Sequence, residues 1–472
     1  MAFRSLLAPF ALALALGPGL AGCGDGGDEG PGEPSIAARL AAIEGLRVTE
    51  IASEAPGQRW FVLSLEQPVD HADPAAGVFQ QRLVLAHRDE RAPLELSTQG
   101  YAYAADKPGE TELTRAFGAN LLRVEHRFFN ASRPQPGLAP PWRYLTIRQA
   151  ADDVHRVVAA LKPIYQGPWF SDGASKGGMT AVYHRRFYPD DVAATVAYVA
   201  PQSYGTDDPR YPAFLERVGE ATCRERIVAL QRAALTRRAE IGPALESLLA
   251  GDEYTFAGLG GFAIAYEHAV QEYRFAFWQY GGPEDCGSLP DPDGDPVAIA
   301  AELADVARAF SDAYLDYYEP YYYQAATQLG QYGPLEDGLG DLLEYPGTYR
   351  VADYPPLGEP KAFDAAAMND IKAWVATEAT RILFVYGELD PWTAGAFEPG
   401  PSPDLRRFDA PGGNHGAKIE SLRPEDQAAA LGLLASWLGV TATPPAATTA
   451  RTAARDRVAL SWQRRWLLEG RL

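Results

Sequence analysis

Apolar residues along this chain recur at two spacings, and the way the two alternate sketches a fold. Leu46-Arg-Val-Thr-Glu-Ile51 alternates like a strand, after a short helical stretch from Ser35 to Glu44. Trp60-Phe-Val-Leu-Ser-Leu65 and Phe79-Gln-Gln-Arg-Leu-Val-Leu-Ala86 are further strand candidates, separated by Pro68, Asp70, Asp73, Pro74 and Gly77, which is turn chemistry. Leu94-Glu-Leu-Ser97 runs into Gln99-Gly100-Tyr101, and Leu121-Leu-Arg-Val-Glu125 into His126-Arg127. A helix is then expected from Thr146, with Gln149 at capping-box spacing and Ile147, Ala151, Val154, Val158 and Leu161 on one face. The short run Trp169-Phe170, a helix ending near Tyr188 before Pro189, and a buried strand within Val192–Ala200 continue the alternation. Strands interleaved with helices predict the α/β class with a mostly parallel sheet.

From about Ser203 to Asp370 the pattern changes. Helical spacing dominates, as in Cys223–Arg232 and in Val297–Tyr318. Aromatic residues crowd this region, from Tyr273, Phe275, Phe277, Trp278 and Tyr280 to Tyr314, Tyr317, Tyr318 and Tyr321 to Tyr323. Sheet character returns at Ile382–Tyr386 and Leu405–Phe408, followed by a closing helix over Pro424–Leu438. The middle region is therefore expected to be a helical insertion between sheet strands. Thr441 to Ala450 is a Pro/Ala/Thr linker, and the last segment is basic, with Trp462 and Trp466 among its arginines.

Composition changes the picture in three ways. The formal net charge of -20 over 472 residues excludes a nucleic-acid partner, since a phosphate backbone is bound by Lys and Arg. Arg4 and the apolar run Leu6–Leu16 form a signal segment too short to anchor in a bilayer, and Leu20-Ala-Gly-Cys23 resembles the lipobox at which bacterial lipoproteins are cleaved and acylated. The Gly/Asp/Glu/Pro tether that follows would hold the protein to a membrane of the bacterial cell envelope through lipid on Cys23; plain secretion is the alternative. In an exported chain the two other cysteines, Cys223 and Cys286, read as a disulfide, against the alternative of two buried thiols.

The chemistry centres on Gly173-Ala174-Ser175-Lys176-Gly177. A Gly-x-Ser-x-Gly sequence between a strand and a helix is the pattern of a nucleophile elbow, so Ser175 is the candidate nucleophile. Such a serine needs an imidazole base and a carboxylate to orient it. Asp390, just after a strand, and His415, in the Gly-rich Pro411-Gly-Gly-Asn-His-Gly416, follow in the required order; Asn414 is a candidate for fixing that loop. His71, His87, His126, His155, His184 and His268 are assigned to packing or surface. The oxyanion donors expected are the backbone N–H groups of Lys176 and, from the loop after the strand at Leu94, Tyr101. Asp291-Pro-Asp-Gly-Asp295 is read as a turn, and no metal or cofactor is implied.

Around the elbow, Ser175-Lys-Gly-Gly-Met-Thr-Ala181 and His184-Arg-Arg-Phe-Tyr-Pro-Asp-Asp-Val192 resemble the secreted bacterial prolyl tri- and tetrapeptidyl aminopeptidases, serine peptidases more distantly related to lysosomal prolylcarboxypeptidase. The resemblance extends to Gln67–His71, Val124–Phe128, Ser132–Pro134, Phe275–Tyr280 and Pro411–Gly416. It implies an α/β-hydrolase core over 36–202 and 371–440, a helical lid over 203–370, and Ser175, Asp390 and His415 as the triad. Residues 1–22 are then the signal peptide, 23–35 the tether and 441–472 the linker and tail. It further implies release of short peptides from free N-termini after Pro. That activity needs an aromatic slot, for which Phe277, Trp278 and Tyr322 are named, and a carboxylate for the substrate ammonium, drawn from Glu253, Glu267, Glu272, Asp316 and Glu319. A lipase or esterase on the same scaffold, and a surface binding protein that has lost catalysis, are the competing readings.

Overall fold

A computed structural model describes residues 34–134, 140–251 and 254–443. Nine strands make one sheet: β1 (Leu46–Ile51), β2 (Arg59–Pro68), β3 (Val78–His87), β4 (Leu94–Thr98), β5 (Asn120–Val124), β6 (Trp169–Ala174), β7 (Ala194–Tyr198), β8 (Ile382–Gly387) and β9 (Leu405–Ala410). Their order is β1-β2-β3-β5-β4-β6-β7-β8-β9. The first three strands and the β3/β5 pair are antiparallel, and every pair from β5 to β9 is parallel. β2 alternates buried and half-buried positions, as a sheet with one covered face should, whereas β4, β7 and β8 are buried at every position. Because β4 to β9 run the same way, the loops that follow them all emerge at one edge of the sheet.

Helices cover both faces. Ile147–Leu161 buries Val154, Val157, Val158 and Leu161 against the β2–β5 side. Thr146 caps it by accepting from Gln149 N at 3.1 Å, but the box is one-sided: the Gln149 side chain turns instead to Asp70 and to the backbone N–H of His71. On the other flank Pro424–Leu438 packs Ala430, Leu434 and Leu438 beside β7 to β9.

Between β7 and β8 lies the helical region, including Ala221–Thr236, Arg238–Ala250, Phe262–Tyr280, Pro296–Arg308 and Asp312–Gln324. It has a core of its own, in which Leu230, Ile241, Leu245, Ala269, Leu303 and Leu315 are all 0% exposed. A disulfide joins Cys223 to Cys286 across 5.6 Å between Cα atoms. The helical pattern of Val297–Tyr318 is carried by two helices, Pro296–Arg308 and Asp312–Gln324, and where they part the Asp312 carboxylate accepts from Thr255 Oγ1 and from the N–H groups of Ala257 and Gly258. The helix Ala365–Thr377, which straddles residue 370, packs Met368, Ile371 and Trp374 with Ile382 and Phe384 of the sheet.

The signal segment, Cys23, the tether up to residue 33 and the tail from residue 444 lie outside the described residues, as does Glu253. No helix among the described residues is long and apolar enough to cross a membrane.

Candidate active site

Ser175 stands between β6 and the helix Lys176–Phe187 at φ 55, ψ -126, a region that a residue with a side chain enters only under constraint. The constraint is visible in the neighbouring glycines. A Cβ on Gly177 would lie 2.5 Å from Thr98 O, and one on Gly173 would lie 2.3 Å from the Gly177 carbonyl carbon, so any larger residue would push strand and helix apart. Ser175 N donates to Tyr198 O at 2.8 Å, and the side chain is half-buried at the shared edge of the parallel strands.

Two strands away, β8 delivers Asp390 to the same edge, and β9 delivers His415. Asp390 is 0% exposed; its Oδ1 accepts from Trp392 N at 3.1 Å and its Oδ2 lies 2.7 Å from His415 Nδ1. A carboxylate held this way fixes the imidazole with Nδ1 protonated and leaves Nε2 as the base. Asp390 thus both opens the turn and orients the histidine. The loop of His415 is fastened to the end of the Phe262–Tyr280 helix. His415 N donates to Gln279 O at 2.9 Å, and Asn414 Nδ2 donates to Tyr280 O at 2.8 Å and to Gly281 O at 3.3 Å. The imidazole sits beside the rings of Tyr280 and Trp392, at 6.5 and 6.3 Å between centroids.

The loop after β4 reaches the elbow at very close range: a Cβ on Gly100 would be 2.6 Å from both Gly177 N and Lys176 Cβ. Lys176 N opens the helix, where first-turn N–H groups have no intrahelical acceptor. The Lys176 side chain, to which the sequence reading gave no role, folds back and donates from Nζ to Gly100 O at 2.7 Å, over the rings of Phe129 and Tyr101. Burial pushes that amine well below its ordinary range. Tyr101 meets the nucleophile through its hydroxyl, which is hydrogen-bonded to the Ser175 side chain, whereas the sequence reading had invoked only its backbone N–H. Tyr101 O accepts from His126 N, and the Glu125 carboxylate accepts from Tyr103 N, Ser132 N and Ser132 Oγ, so the end of β5 pins this loop. Beside it, Arg127 is 0% exposed and makes a two-pronged pair with Asp153, which also binds His71. These buried polar groups support the site without entering it.

The structure corrects the aromatic slot. Phe277 and Trp278 are each 1% exposed in the core of the helical region, edge-to-face on one another, with Trp278 lying on Gly219. Tyr322 is also buried there, against Tyr321 and Tyr354. The half-buried aromatics around Ser175 and His415 are instead Tyr101, Tyr280 and Trp392, with Tyr321 packed edge-on to Tyr101. The helical period of Phe275–Tyr280 offered no hint of which face turns inward, as both faces are aromatic.

The family model described as PS-10 peptidase S37 matches residues 30–464. The chain belongs to the S37 peptidase family. It is a serine peptidase. This S37 peptidase is 39% identical over 447 residues to the prolyl tri/tetrapeptidyl aminopeptidase of Streptomyces mobaraensis, covering 93% of this chain and 92% of that one. It is 26% identical to the thymus-specific serine protease of Homo sapiens, over 59% of this chain and 65% of the human one. Among solved structures, the proline iminopeptidase of Mycobacterium smegmatis matches 80% of this chain and 97% of its own, at 15% identity and a TM-score of 0.35, a likeness too loose to argue from. The α/β-hydrolase fold of this S37 peptidase rests on its own sheet order and on the strand–Ser175–helix turn.

Proposed function

We propose that this S37 peptidase is an aminopeptidase that releases tri- and tetrapeptides from free N-termini, cutting after Pro, with Ser175, His415 and Asp390 as its triad. The observation that carries the reading is the 2.7 Å pair of Asp390 and His415 on the sheet edge where Ser175 is held in its turn, in a chain 39% identical to a prolyl tri/tetrapeptidyl aminopeptidase. Ser175 Oγ attacks the carbonyl carbon before the scissile bond and passes its proton to His415 Nε2. Asp390, buried against His415 Nδ1, stabilises the imidazolium that results. Lys176 N–H and a donor from the Gly100–Tyr101 loop hold the oxyanion. Collapse of the adduct breaks the C–N bond, and the proton on His415 goes to the leaving amine. A water, deprotonated by His415, then attacks the acyl-enzyme, freeing the short peptide and restoring the serine hydroxyl.

The test is turnover of tripeptides ending in Pro-p-nitroanilide with free and with acetylated N-termini. Cleavage of the free peptide alone is expected; equal cleavage of both overturns the exopeptidase reading, and hydrolysis of p-nitrophenyl esters without any peptide turnover replaces it with an esterase. Leu20-Ala-Gly-Cys23 and the tether after it support an exported, lipid-anchored form in the cell envelope. Mass spectrometry of the mature N-terminus is expected to find acylated Cys23, and an unmodified terminus elsewhere refutes the anchor.

A further inference from the structure

An exopeptidase of this kind needs a group that holds the substrate ammonium at a set distance from Ser175, and the structure sorts the carboxylates named above. Glu267 is already bonded to Arg238 and to the N–H groups of Glu344 and Tyr345. Glu319 is paired with Arg133 at 2.9 Å, and Asp316 is exposed. Glu272 is different. Its Oε2 accepts from the Tyr349 hydroxyl at 2.6 Å and the Tyr332 hydroxyl at 2.9 Å, and among the described residues no Lys, Arg or His is bonded to it. Protein surrounds it so closely that burial pushes the carboxyl up to about 7, yet the residue keeps a partly accessible edge. Tyr101, Tyr280 and Tyr321 are likewise half-buried, with Tyr101 at Ser175 and Tyr280 at His415.

Length agrees with this placement. Glu272 and Tyr280 stand on one helix, eight residues or about 12 Å apart along its axis, and Tyr280 is at His415. Three or four extended residues span about 10–14 Å. From the other side, the Tyr332 ring that carries a Glu272 donor lies 5.6 Å from Trp392, the other neighbour of His415.

We propose that Glu272 is the specificity-determining residue that binds the substrate's N-terminal ammonium, with Tyr332 and Tyr349 holding its carboxylate in place. The assignment rests on the aminopeptidase reading, and it makes the distance from Glu272 to Ser175 the measure of the released peptide. A carboxylate without a resident cation is completed by the ammonium, and an acetylated N-terminus brings neither charge nor donors for it.

The experiment compares wild type and Glu272→Gln on a tripeptide ending in Pro-p-nitroanilide and on its des-amino analogue, with fluorophosphonate labelling of Ser175 as the control for an intact site. Glu272→Gln is expected to lower kcat/KM on the free peptide about 100-fold while changing the des-amino analogue and the labelling rate less than about threefold. Wild type that cleaves both substrates equally removes the aminopeptidase reading itself. Wild type that discriminates, with a variant that discriminates as well, removes only the role of Glu272. A second measurement needs no variant: the ratio of kcat/KM for the two substrates. The titratable groups facing Glu272 are Tyr332, Tyr349, Tyr354, Tyr322, Tyr321 and Tyr280, all held protonated by burial far above neutral pH. The ratio should therefore fall about tenfold per pH unit below about 7, as the carboxyl takes up its proton, and fall again above about 8, as the ammonium loses its own. A ratio flat from pH 5 to pH 9 overturns the proposal.

Discussion

Two backbone positions carry most of the strain and closeness on which the chemistry depends. Ser175 is held at φ 55 by the approach of strand and helix, and removal of its hydroxyl should abolish turnover without harming the fold. Ser175→Ala is expected to lower kcat by about 10⁶ with an unchanged or slightly higher melting temperature, read by peptide hydrolysis and calorimetry. Gly100 has space for no side chain, since its Cβ would meet Gly177 N and Lys176 Cβ at 2.6 Å. Gly100→Ala must move the loop that approaches the oxyanion, so kcat/KM should fall about 10²-fold while the fluorophosphonate reaction of Ser175 slows with it; unimpaired kinetics would show that this loop takes no part. The elbow was legible because a strand, a Gly-x-Ser-x-Gly turn and a helix are local. The Lys176 tether and the Tyr101 hydroxyl were not, because each depends on a loop some 75 positions earlier returning to the elbow.

Between β4 and β6 the sheet buries two carboxyls, Glu95 and Asp172. Burial, and then the charge of Asp172, raises Glu95 well above the ordinary range, and burial raises Asp172 to about 6. As pH climbs past the ordinary carboxylate range, the unfolded chain releases these protons while the folded chain keeps them. Stability therefore falls with rising pH, from about pH 4 up to about 6 for Asp172 and beyond that for Glu95. Glu95→Gln should flatten that slope and gain about 1–3 kcal/mol at pH 8 relative to wild type, with little gain at pH 4, by thermal unfolding at both pH values; an equal effect at both would deny that Glu95 keeps its proton on folding. The disulfide ties the start of the Ala221–Thr236 helix to the turn after Tyr280 and closes a loop of sequence separation 63. Its reduction should cost about 4 kcal/mol by loop entropy, seen as a lower melting temperature with reductant. At this scale the sequence told strands from helices well, because β8 is a continuous apolar run and Pro424–Leu438 begins on a Pro and stops before Gly439. Breaks set by long-range bonds do not show in the pattern, as where Asp312, inside the helical run of Val297–Tyr318, binds the N–H groups of a distant loop.

Across the whole molecule, a sheet that places its catalytic loops on one edge is covered there by a helical region with a core of its own. The chain's pattern leads one to expect that division; it gives no sign of the fastening between the two parts, through His415 to Gln279 and Asn414 to Tyr280. That stitching has a consequence for traffic. A cover hinged elsewhere would swing aside and admit a folded chain, but lifting this one would tear the acid–base pair out of register at the moment of entry. A cover tied at this point is expected to favour slender chain ends over folded ones, so that girth as well as sequence limits what is digested.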